Sequence, residues 1–403
     1  TDTYGPEVNG VTNTLARLGA YLEEKHIHQV IFAPAYEGEE TFPLKGDLHP
    51  LFGTLRHRAI ERRENRHSAY RSLYRFRGLK TSLSPGSRLT FPAFWEIDEI
   101  CDGFKPDLVH VSTELGIGFR GMRYAVTRRL PLVMSYHTNY GEYLRYFDLE
   151  LLKPLLERYL SWFYRFANRV LAPSRHTLED LFRRQYRNLG LWSRGIDSSL
   201  FNPAFRNEAL RNRIGKDKCI FLYAGRISPE KGLDMLLYAA AELERRFPGK
   251  TAFVFTGDGP YMETIRKQKL PNVVLTGFKR GRELSEIYAS ADCFAFPSGT
   301  ETFGNAALEA MASGLPVAGV ASGGVTDFLS HRINALLCPA GSREAFLENL
   351  VTLMEDTDLR LTLAENARKT ALTRDWNRVF EGLINTYDEV IEEQRRRYWQ
   401  RAS

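Results

Sequence analysis

The chain has 403 residues, more than one hydrophobic core usually supports, so two domains are expected. Its apolar (43%) and charged (26%) fractions are those of a globular protein, and it contains no apolar run long enough to span a bilayer, no signal-peptide pattern and no Asn-x-Ser/Thr sequon. The four cysteines are scattered without a CxxC pair, which favours free thiols in a reducing compartment.

The chain opens with TDTYGPEVNG, a turn-like stretch without a hydrophobic strand in front of it. Because an α/β domain normally begins with such a strand, we expect that residues precede Thr1. Gly10 lies where this loop turns into a helix predicted over 13–24, and its backbone could close over a phosphate.

The net charge of +6 is concentrated in one early segment. Residues 56–80 contain nine Arg and Lys but only two Glu, and several apolar side chains follow closely: Leu79, Leu83, Leu89, Phe91, Phe94 and Trp95. Such a mixture is typical of a surface facing anionic lipid head groups. It is equally typical of a solvated face, and nucleic acid is a weaker third reading because no recognised module accompanies the charge.

Short apolar runs alternate with helical patterns along the whole chain. The first half has four runs that predict buried parallel strands: HQVIFAPA (28–35), PDLVHVST (106–113), LPLVMSYHT (130–138) and RVLAPS (169–174). The second half has six: CIFLYAG (219–225), TAFVFTG (251–257), NVVLTG (272–277), CFAFPS (293–298), LPVAGV (315–320) and NALLCP (334–339). This alternation predicts two Rossmann-like, doubly wound α/β domains that meet near 189–203, with a helical tail from about residue 375.

Two loop-to-helix segments of the second half carry chemistry. In SGTETFGNAALEAMASGLPV, Glu301 lies in a loop after a strand, and Glu309 lies one turn inside the next helix, where it could accept hydrogen bonds from a ribose diol. In GRISPEKG, Arg226 and Lys231 flank a predicted helix start capped by Ser228, and two cations there suit a diphosphate. Each segment also has an alternative interpretation without function. The first could be a capped surface helix with incidental glutamates, and the second a solvated pair of cations.

Other chemical signals are weaker or absent. His137 ends a predicted strand and faces the expected cleft, although a lone histidine is more often structural. FTGDGP lacks the third glycine of a dinucleotide fingerprint, and GxxxxGK[ST], HExxH and GxSxG do not occur. Asp356 and Asp358 spell DxD, but they lie between helical patterns, so we interpret them as helix capping and expect no metal.

Together these motifs resemble the retaining nucleotide-sugar glycosyltransferases of family 4, which have the GT-B fold of two domains facing across a cleft. GRISPEKG is similar to the family's diphosphate motif, and ETFGNAALEAMASGLPV, followed by GGVTDFL (323–329), is similar to its paired-glutamate motif. TDTYGPEVNGVTNTL and LPLVMSYHTNY look closest to lipid-directed members such as sulfoquinovosyl-diacylglycerol synthases and glycolipid or phosphatidylinositol mannosyltransferases.

The resemblance implies a role for each of these site residues. It gives Arg226 and Lys231 the diphosphate, Glu309 the ribose, His137 and Glu301 the sugar, and Gly10 a phosphate; the sugar would also contact the backbone of Phe303, Gly304 and Asn305. Gly277, Phe278 and Lys279 would lie beside the base. The family pattern is not complete, because Asn9 replaces a common glycine and Arg194 a frequent asparagine.

The predicted reaction transfers a hexosyl group, with retention, from a UDP-sugar or alternatively a GDP-sugar to a hydroxyl of a membrane lipid. No metal or further cofactor and no nucleic-acid partner are expected. The predicted acceptor domain is 1–195 with helix 381–403 packed on it, the donor domain is 196–380, and the protein would lie in the cytoplasm at the inner face of the membrane. Alternatives are a soluble sugar acceptor, a sugar-nucleotide epimerase, a non-catalytic nucleotide-binding module and, most weakly, a dehydrogenase.

Overall fold

A computed structural model of the protein describes residues 1–7, 9–36, 69–80, 88–137 and 150–402. Helices and strands alternate through the first half of the chain: α1 Gly10–Glu24, β1 Gln29–Pro34, β2 Arg71–Phe76, β3 Leu79–Lys80, β4 Arg88–Leu89, α2 Phe94–Phe104, β5 Val109–Val111, α3 Gly116–Arg128, β6 Leu132–Ser135, α4 Lys153–Tyr164, β7 Arg169–Ala172, α5 Arg175–Arg183 and β8 Leu189–Leu191. Strands β5-β6-β7-β8 form one parallel sheet, and β1 pairs in parallel with β2.

The second half repeats the alternation and then ends in helices. Its elements are α6 Glu208–Gly215, β9 Cys219–Ala224, α7 Leu233–Arg246, β10 Thr251–Thr256, α8 Met262–Gln268, β11 Val273–Gly277, α9 Gly281–Ser290, β12 Cys293–Phe296, α10 Asn305–Ala312, β13 Val317–Val320, β14 Ala335–Cys338, α11 Arg343–Glu355, α12 Thr357–Leu372 and α13 Trp376–Ala402. The six strands form one parallel sheet in the order β11-β10-β9-β12-β13-β14.

The second sheet is apolar on both faces, which explains why its strands are continuous apolar runs. Along β9, Ile220 and Leu222 point into one buried cluster, whereas Phe221 and Tyr223 point into the cluster on the opposite face. All ten predicted strands are confirmed in place, and the α/β class with parallel sheets is confirmed with them.

The last helix, α13, packs against the first half of the chain. The Phe380 ring lies 5.3 Å from Tyr21 of α1, and the Tyr387 hydroxyl lies 2.5 Å from Nδ1 of His110 on β5. Arg169 of β7 forms an ion pair with Glu393 at 3.0 Å. The final segment of the chain therefore crosses from the second sheet back to the first.

Part of the basic segment is a buried strand rather than a surface. Arg75 of β2 is 7% exposed, and its guanidinium donates to the carbonyl oxygens of Pro34 (2.9 Å) and Gly5 (2.6 Å). The interpretation of this residue as a surface cation is therefore wrong, because backbone carbonyls satisfy its charge. Arg71 of the same strand pairs with Glu23 at 3.4 Å. Residues 56–68 of the predicted basic surface, and Leu83, lie outside the described residues.

Candidate functional site

The candidate site lies where the order of the second sheet reverses. Strands β9 and β12 are neighbours, but the chain continues from β9 towards β10 and from β12 towards β13, on opposite sides. Ligands of open parallel sheets bind beyond the carboxyl ends of the strands at such a point. The two loops that the sequence singles out, 225–232 after β9 and 297–304 after β12, leave the sheet side by side at this point.

The loop after β9 is tighter than the sequence predicted. Instead of an α-helix capped by Ser228, a single 3-10 turn covers Pro229–Lys231, and the α-helix begins only after Gly232. Gly232 has a φ of +69°, and a Cβ atom there would lie 2.7 Å from the carbonyl oxygen of Pro297. The left-handed backbone and the absent side chain let this loop approach the loop after β12.

This close approach brings together two charged residues 70 positions apart. Lys231 Nζ donates to Glu301 Oε1 at 2.7 Å, and both side chains are mostly buried, at 18% and 17% exposure. Ser298 Oγ donates to the same carboxylate oxygen at 2.9 Å. Burial would raise the pKa of Glu301, but Lys231, helped by Ser298 and Arg226, holds that pKa below its usual value. Glu301 is therefore ionised at neutral pH.

Arg226 lies at the start of the same loop and pairs with Glu230. Its NH2 group is 2.8 Å from Glu230 Oε1, which also accepts a 2.5 Å hydrogen bond from Ser228. Ser228 thus supports an acidic side chain instead of capping a helix. The charge of Arg226 also lowers the pKa of Glu301, so both predicted cations act on one small region.

Glycines fix the backbone around Glu301. Gly304, directly before α10, has a φ of +97°, and a Cβ atom there would lie 2.4 Å from Val325 Cγ1. Gly324 N donates to the Glu301 carbonyl at 2.7 Å, and a Cβ atom on Gly323 would lie 2.5 Å from the same oxygen. The GGVTDFL segment therefore serves as the floor under the glutamate loop.

Glu309 lies on the first turns of α10, as predicted, and is partly buried. Its Oε2 atom accepts a 3.0 Å hydrogen bond from the Tyr288 hydroxyl. Burial raises the pKa of Glu309 to about 7, although Tyr288 and the charge of Arg17 act in the opposite direction. Arg17 belongs to α1 of the first half and pairs with Asp197 at 3.2 Å, so the first half faces this carboxylate.

Helices α1 and α10 meet at their N-termini. A Cβ atom on Gly10, the first residue of α1, would lie 2.9 Å from Asn305 Nδ2, at the first residue of α10. Asn9 caps α1, because its Oδ1 atom accepts hydrogen bonds from the backbone of Val11 and Thr12, both at 2.9 Å. Two partially positive helix ends converge here, which favours an anion.

His137 follows β6 at the carboxyl edge of the first sheet. It is 9% exposed, and Arg194 NH2 lies 2.9 Å from its Nδ1 atom, whereas its buried Nε2 atom has no hydrogen-bond partner among the described residues. Its carbonyl oxygen accepts a 3.3 Å hydrogen bond from Thr302, next to Glu301. Burial, and then the charges of Arg194 and His110, keep the pKa of His137 well below its usual value.

The predicted base-side loop follows β11, two strands from the β9–β12 pair. The carbonyl of Gly277 accepts a 3.0 Å hydrogen bond from Gly257 N, the Phe278 side chain is 53% exposed, and Lys279 pairs with Glu283 at 3.3 Å. The loop therefore lies at the same sheet edge as the charged pair, at its outer end.

Sequence reasoning missed several residues that complete the site. Arg17, Tyr288 and Thr302 contact or act on its members, and Arg194 was noticed only as a departure from the family pattern. Their partners are at least 21 positions away in the sequence, so local patterns carried no signal for them.

In the described part of the chain, no group of three or more His, Cys, Asp or Glu side chains lies together in a way that could hold a metal ion. Asp356 accepts a 2.9 Å hydrogen bond from Leu359 N and caps α12, which confirms the capping interpretation of the DxD sequence.

Comparisons with known proteins match both halves of the chain. The model for Glycosyltransferase Family 4 matches residues 8–200, and the model for Glycosyl transferases group 1 matches residues 205–370. The GDP-mannose-dependent alpha-mannosyltransferase of Mycobacterium tuberculosis is 31% identical over 96% of this chain and 95% of its own length. Sulfoquinovosyl transferase SQD2 of Arabidopsis thaliana is 35% identical over 68% of this chain and 54% of its own length.

Solved structures share the fold at low sequence identity. Sucrose-phosphate synthase from Thermosynechococcus elongatus matches with a TM-score of 0.73 at 19% identity, over 96% of this chain and 94% of that one. Anabaena Alr3699/HepE in complex with UDP and glucose matches with a TM-score of 0.70 at 19% identity, over 96% and 98%. The chain therefore belongs to the family 4 glycosyltransferases with the GT-B fold, and it is a transferase.

Proposed function

We propose that this protein transfers a hexosyl group, with retention, from a nucleotide diphospho-sugar to a hydroxyl of a membrane lipid such as diacylglycerol or a glycolipid. One observation carries the proposal: Lys231, Arg226 and the ionised Glu301 converge at the switch point of the second sheet. A diphosphate needs such cations, and a sugar needs a nearby carboxylate as hydrogen-bond acceptor.

The nucleotide-sugar donor would contact both loops of the site, 225–232 and 297–304. Lys231 and Arg226 would bind the diphosphate, which competes with Glu301 and Glu230 for these cations. Glu309 would accept the ribose hydroxyls, and the base would lie towards Gly277, Phe278 and Lys279 at the edge of β11. We favour UDP from the resemblance to diacylglycerol-directed members; GDP is the alternative, since the M. tuberculosis relative is named GDP-mannose-dependent.

The sugar would lie between Glu301 and His137. The backbone of Phe303, Gly304 and Asn305 leads into α10, and Gly10 brings the N-terminus of α1 beside it. Both helix ends favour the negative charge of the phosphate next to the sugar.

In the proposed step, the bond from the anomeric carbon to the phosphate oxygen breaks, and its electron pair leaves with the nucleoside diphosphate. The acceptor oxygen bonds to the same face of that carbon, and its proton passes to the departing phosphate oxygen. Lys231 and Arg226 stabilise the charge that develops on this oxygen.

A face of the first half supports the lipid acceptor. Large apolar side chains of α2, α4 and the segments before them are exposed, among them Phe91, Phe94, Trp95, Leu151, Leu155 and Trp162. They are linked through α3, because the Arg120 guanidinium lies 3.5 Å from the Phe94 ring centroid and the Phe119 ring lies 6.3 Å from Trp162. We call this the apolar face. Exposed Lys153, Arg158 and Arg165 add the positive charge that anionic lipids attract.

The position of this face suits a membrane-bound acceptor. Helix α4 connects the parallel strands β6 and β7, so its N-terminus lies at the sheet edge that carries His137. Within the described ranges no helix is both long and apolar enough to cross a membrane. We propose that the protein lies peripherally at the cytoplasmic face of the cell membrane, with 1–195 and the returning helix 381–403 as acceptor domain and 196–380 as donor domain.

The decisive experiment is calorimetric titration of UDP, GDP and ADP with and without magnesium. It is followed by product analysis with the matching sugar nucleotide and diacylglycerol in anionic vesicles. We expect either UDP or GDP to bind without a metal ion. From a donor with an α-linked sugar, we expect a glycolipid in which the sugar is also α-linked. Binding of none of the three, an inverted product, conversion of the donor without acceptor, or equal activity on soluble sugars would each contradict the proposal.

A further inference from the structure

Arg194 lies in the linker between the two sheets and is almost completely buried, at 4% exposure. In the described part of the chain its hydrogen-bond acceptors are neutral: the carbonyl oxygens of Trp192 (2.7 Å) and Ser193 (3.1 Å), and Nδ1 of His137 (2.9 Å). Its guanidinium also lies 5.0 Å from the centroid of the Trp192 ring, whose neighbours include the rings of His110 at 5.3 Å and His137 at 5.6 Å.

This geometry determines where the imidazole of His137 holds its proton. A guanidinium has five N–H donors and no acceptor, so the atom facing it must offer a lone pair. Nδ1 of His137 is therefore unprotonated, and the single proton of the neutral ring is on Nε2. Because Nε2 is buried and no described residue bonds to it, the ring presents an N–H group at the cleft edge that the described residues leave unused.

We propose that Arg194 is a positioning residue: it fixes the tautomer and ring orientation of His137, so that Nε2–H donates to an oxygen of the transferred sugar. This inference rests on the proposed function, which places His137 beside the sugar. The backbone of His137 supports that placement, since Thr302, next to Glu301, donates to its carbonyl oxygen.

An asparagine, which is frequent at this position in the family, could not fix the tautomer of His137 in the way that Arg194 does. An asparagine amide offers both a donor and an acceptor, so it can pair with either tautomer of imidazole. The guanidinium accepts nothing, and its positive charge also opposes protonation of the ring. His137 is therefore kept neutral, with one defined donor.

The tautomer is tested directly by nitrogen-15 NMR of protein with labelled histidine, with H137Q identifying the signal. The variants are R194M, which removes the donors at similar side-chain length, and R194K, which keeps a charged donor. We expect wild-type protein and R194K to show Nε2 protonated and Nδ1 not, and R194M to show a mixture of tautomers. An unchanged His137 spectrum in R194M would overturn the proposal.

Kinetics test whether the tautomer serves the reaction. At pH 8 we expect R194M to turn over roughly tenfold more slowly than wild type, the loss expected for one misdirected hydrogen bond. R194K, which keeps a charged donor facing Nδ1, should recover most of this loss. Affinity for the nucleoside diphosphate, measured by calorimetry, should stay at the wild-type value in R194M and R194K.

Two outcomes distinguish a failure of this inference from a failure of the proposed function. If R194M loses activity only in proportion to the fall in its unfolding midpoint, and R194K loses as much, Arg194 is only structural and the inference is overturned. If H137F, which has no donor in place of Nε2, turns over as fast as wild type, His137 does not touch the sugar, and the placement of the donor in the proposed function is wrong.

Discussion

Removing Lys231 should separate its catalytic role from its structural role. In K231M, Glu301 stays mostly buried and, within the described residues, keeps the hydrogen bond from Ser298. Breaking a fully buried ion pair costs about 3–5 kcal/mol and breaking an exposed one at most about 1, so at 18% and 17% exposure we expect a loss of about 2–3 kcal/mol in unfolding free energy. Turnover should fall by about 10²–10³, the effect of removing one donor to a developing negative charge.

The double variant K231M/E301Q distinguishes these effects. A neutral amide needs no cation, so the double variant should recover most of the lost unfolding free energy in urea denaturation. Its initial rate of nucleoside diphosphate release at saturating donor should be no higher than in K231M, since Glu301 is itself proposed to contact the sugar. K267A, which removes an exposed lysine from α8, is the control and should match wild type in both measurements.

The pH dependence of the single variant gives a second check. In wild type, Lys231 holds the pKa of Glu301 below its usual value, so this pair loses its stabilising effect as the pH falls through that lowered pKa. Without Lys231, burial dominates and raises the pKa, so the stability deficit of K231M should shrink as the pH falls from 8 to 5. If activity instead returns together with stability in the double variant, Lys231 is a structural residue and the diphosphate assignment is refuted.

Three further variants test other parts of the site. Burial raises the pKa of Glu309 to about 7, so the native protein loses stability as the pH rises from about 4.5 to 7. The unfolding free energy of E309Q should therefore exceed that of wild type by up to roughly 3 kcal/mol above pH 7 and equal it below pH 4. E309Q should nevertheless bind nucleotide more weakly at pH 8, as measured by calorimetry. G10A should lower turnover about tenfold, because its methyl group would displace the Asn305 side chain and lie where we expect the phosphate, without lowering the unfolding midpoint. G382A, inside helix α13 with open space around it, should leave turnover unchanged and should not lower the midpoint either. L155E should abolish co-sedimentation with anionic vesicles but not activity on a detergent-dispersed acceptor, and L361E, an equally exposed site in the second half, should sediment like wild type.

Most of the fold follows from the sequence because parallel strands buried on both faces leave continuous apolar runs. Strand β2 escaped prediction because RSLYRF reads as basic and exposed, whereas Arg75 satisfies its guanidinium on carbonyl oxygens of Pro34 and Gly5. Strand β8 was taken as part of the interruption between the halves, because LGL is short and contains a glycine. Neither strand has a local apolar signal.

The sequence predicts which motifs form the site but not which of their residues contact one another. Strand–loop–helix order locates Arg226, Lys231, Glu301 and Glu309 at one sheet edge, because parallel strands all end on the same side. That Lys231 meets Glu301 depends on β9 and β12 being neighbours, which strand order in the sequence does not reveal. The 3-10 turn after Ser228 was also hidden, since Ser-Pro-Glu is an equally good start for an α-helix.

The loop between Glu301 and Gly304 links the chemistry to the arrangement of the two halves. Glu301 is bound within the second half through Lys231, whereas Thr302 donates to the His137 carbonyl at 3.3 Å and accepts from Thr177 Oγ1 at 3.4 Å, both in the first half. Consecutive residues are thus held by opposite sides of the cleft. A change in the separation of the halves must therefore move His137 relative to Glu301. If the sugar lies between these two residues as proposed, the reaction requires the halves to be closed to this distance, although the diphosphate and ribose motifs lie in the second half.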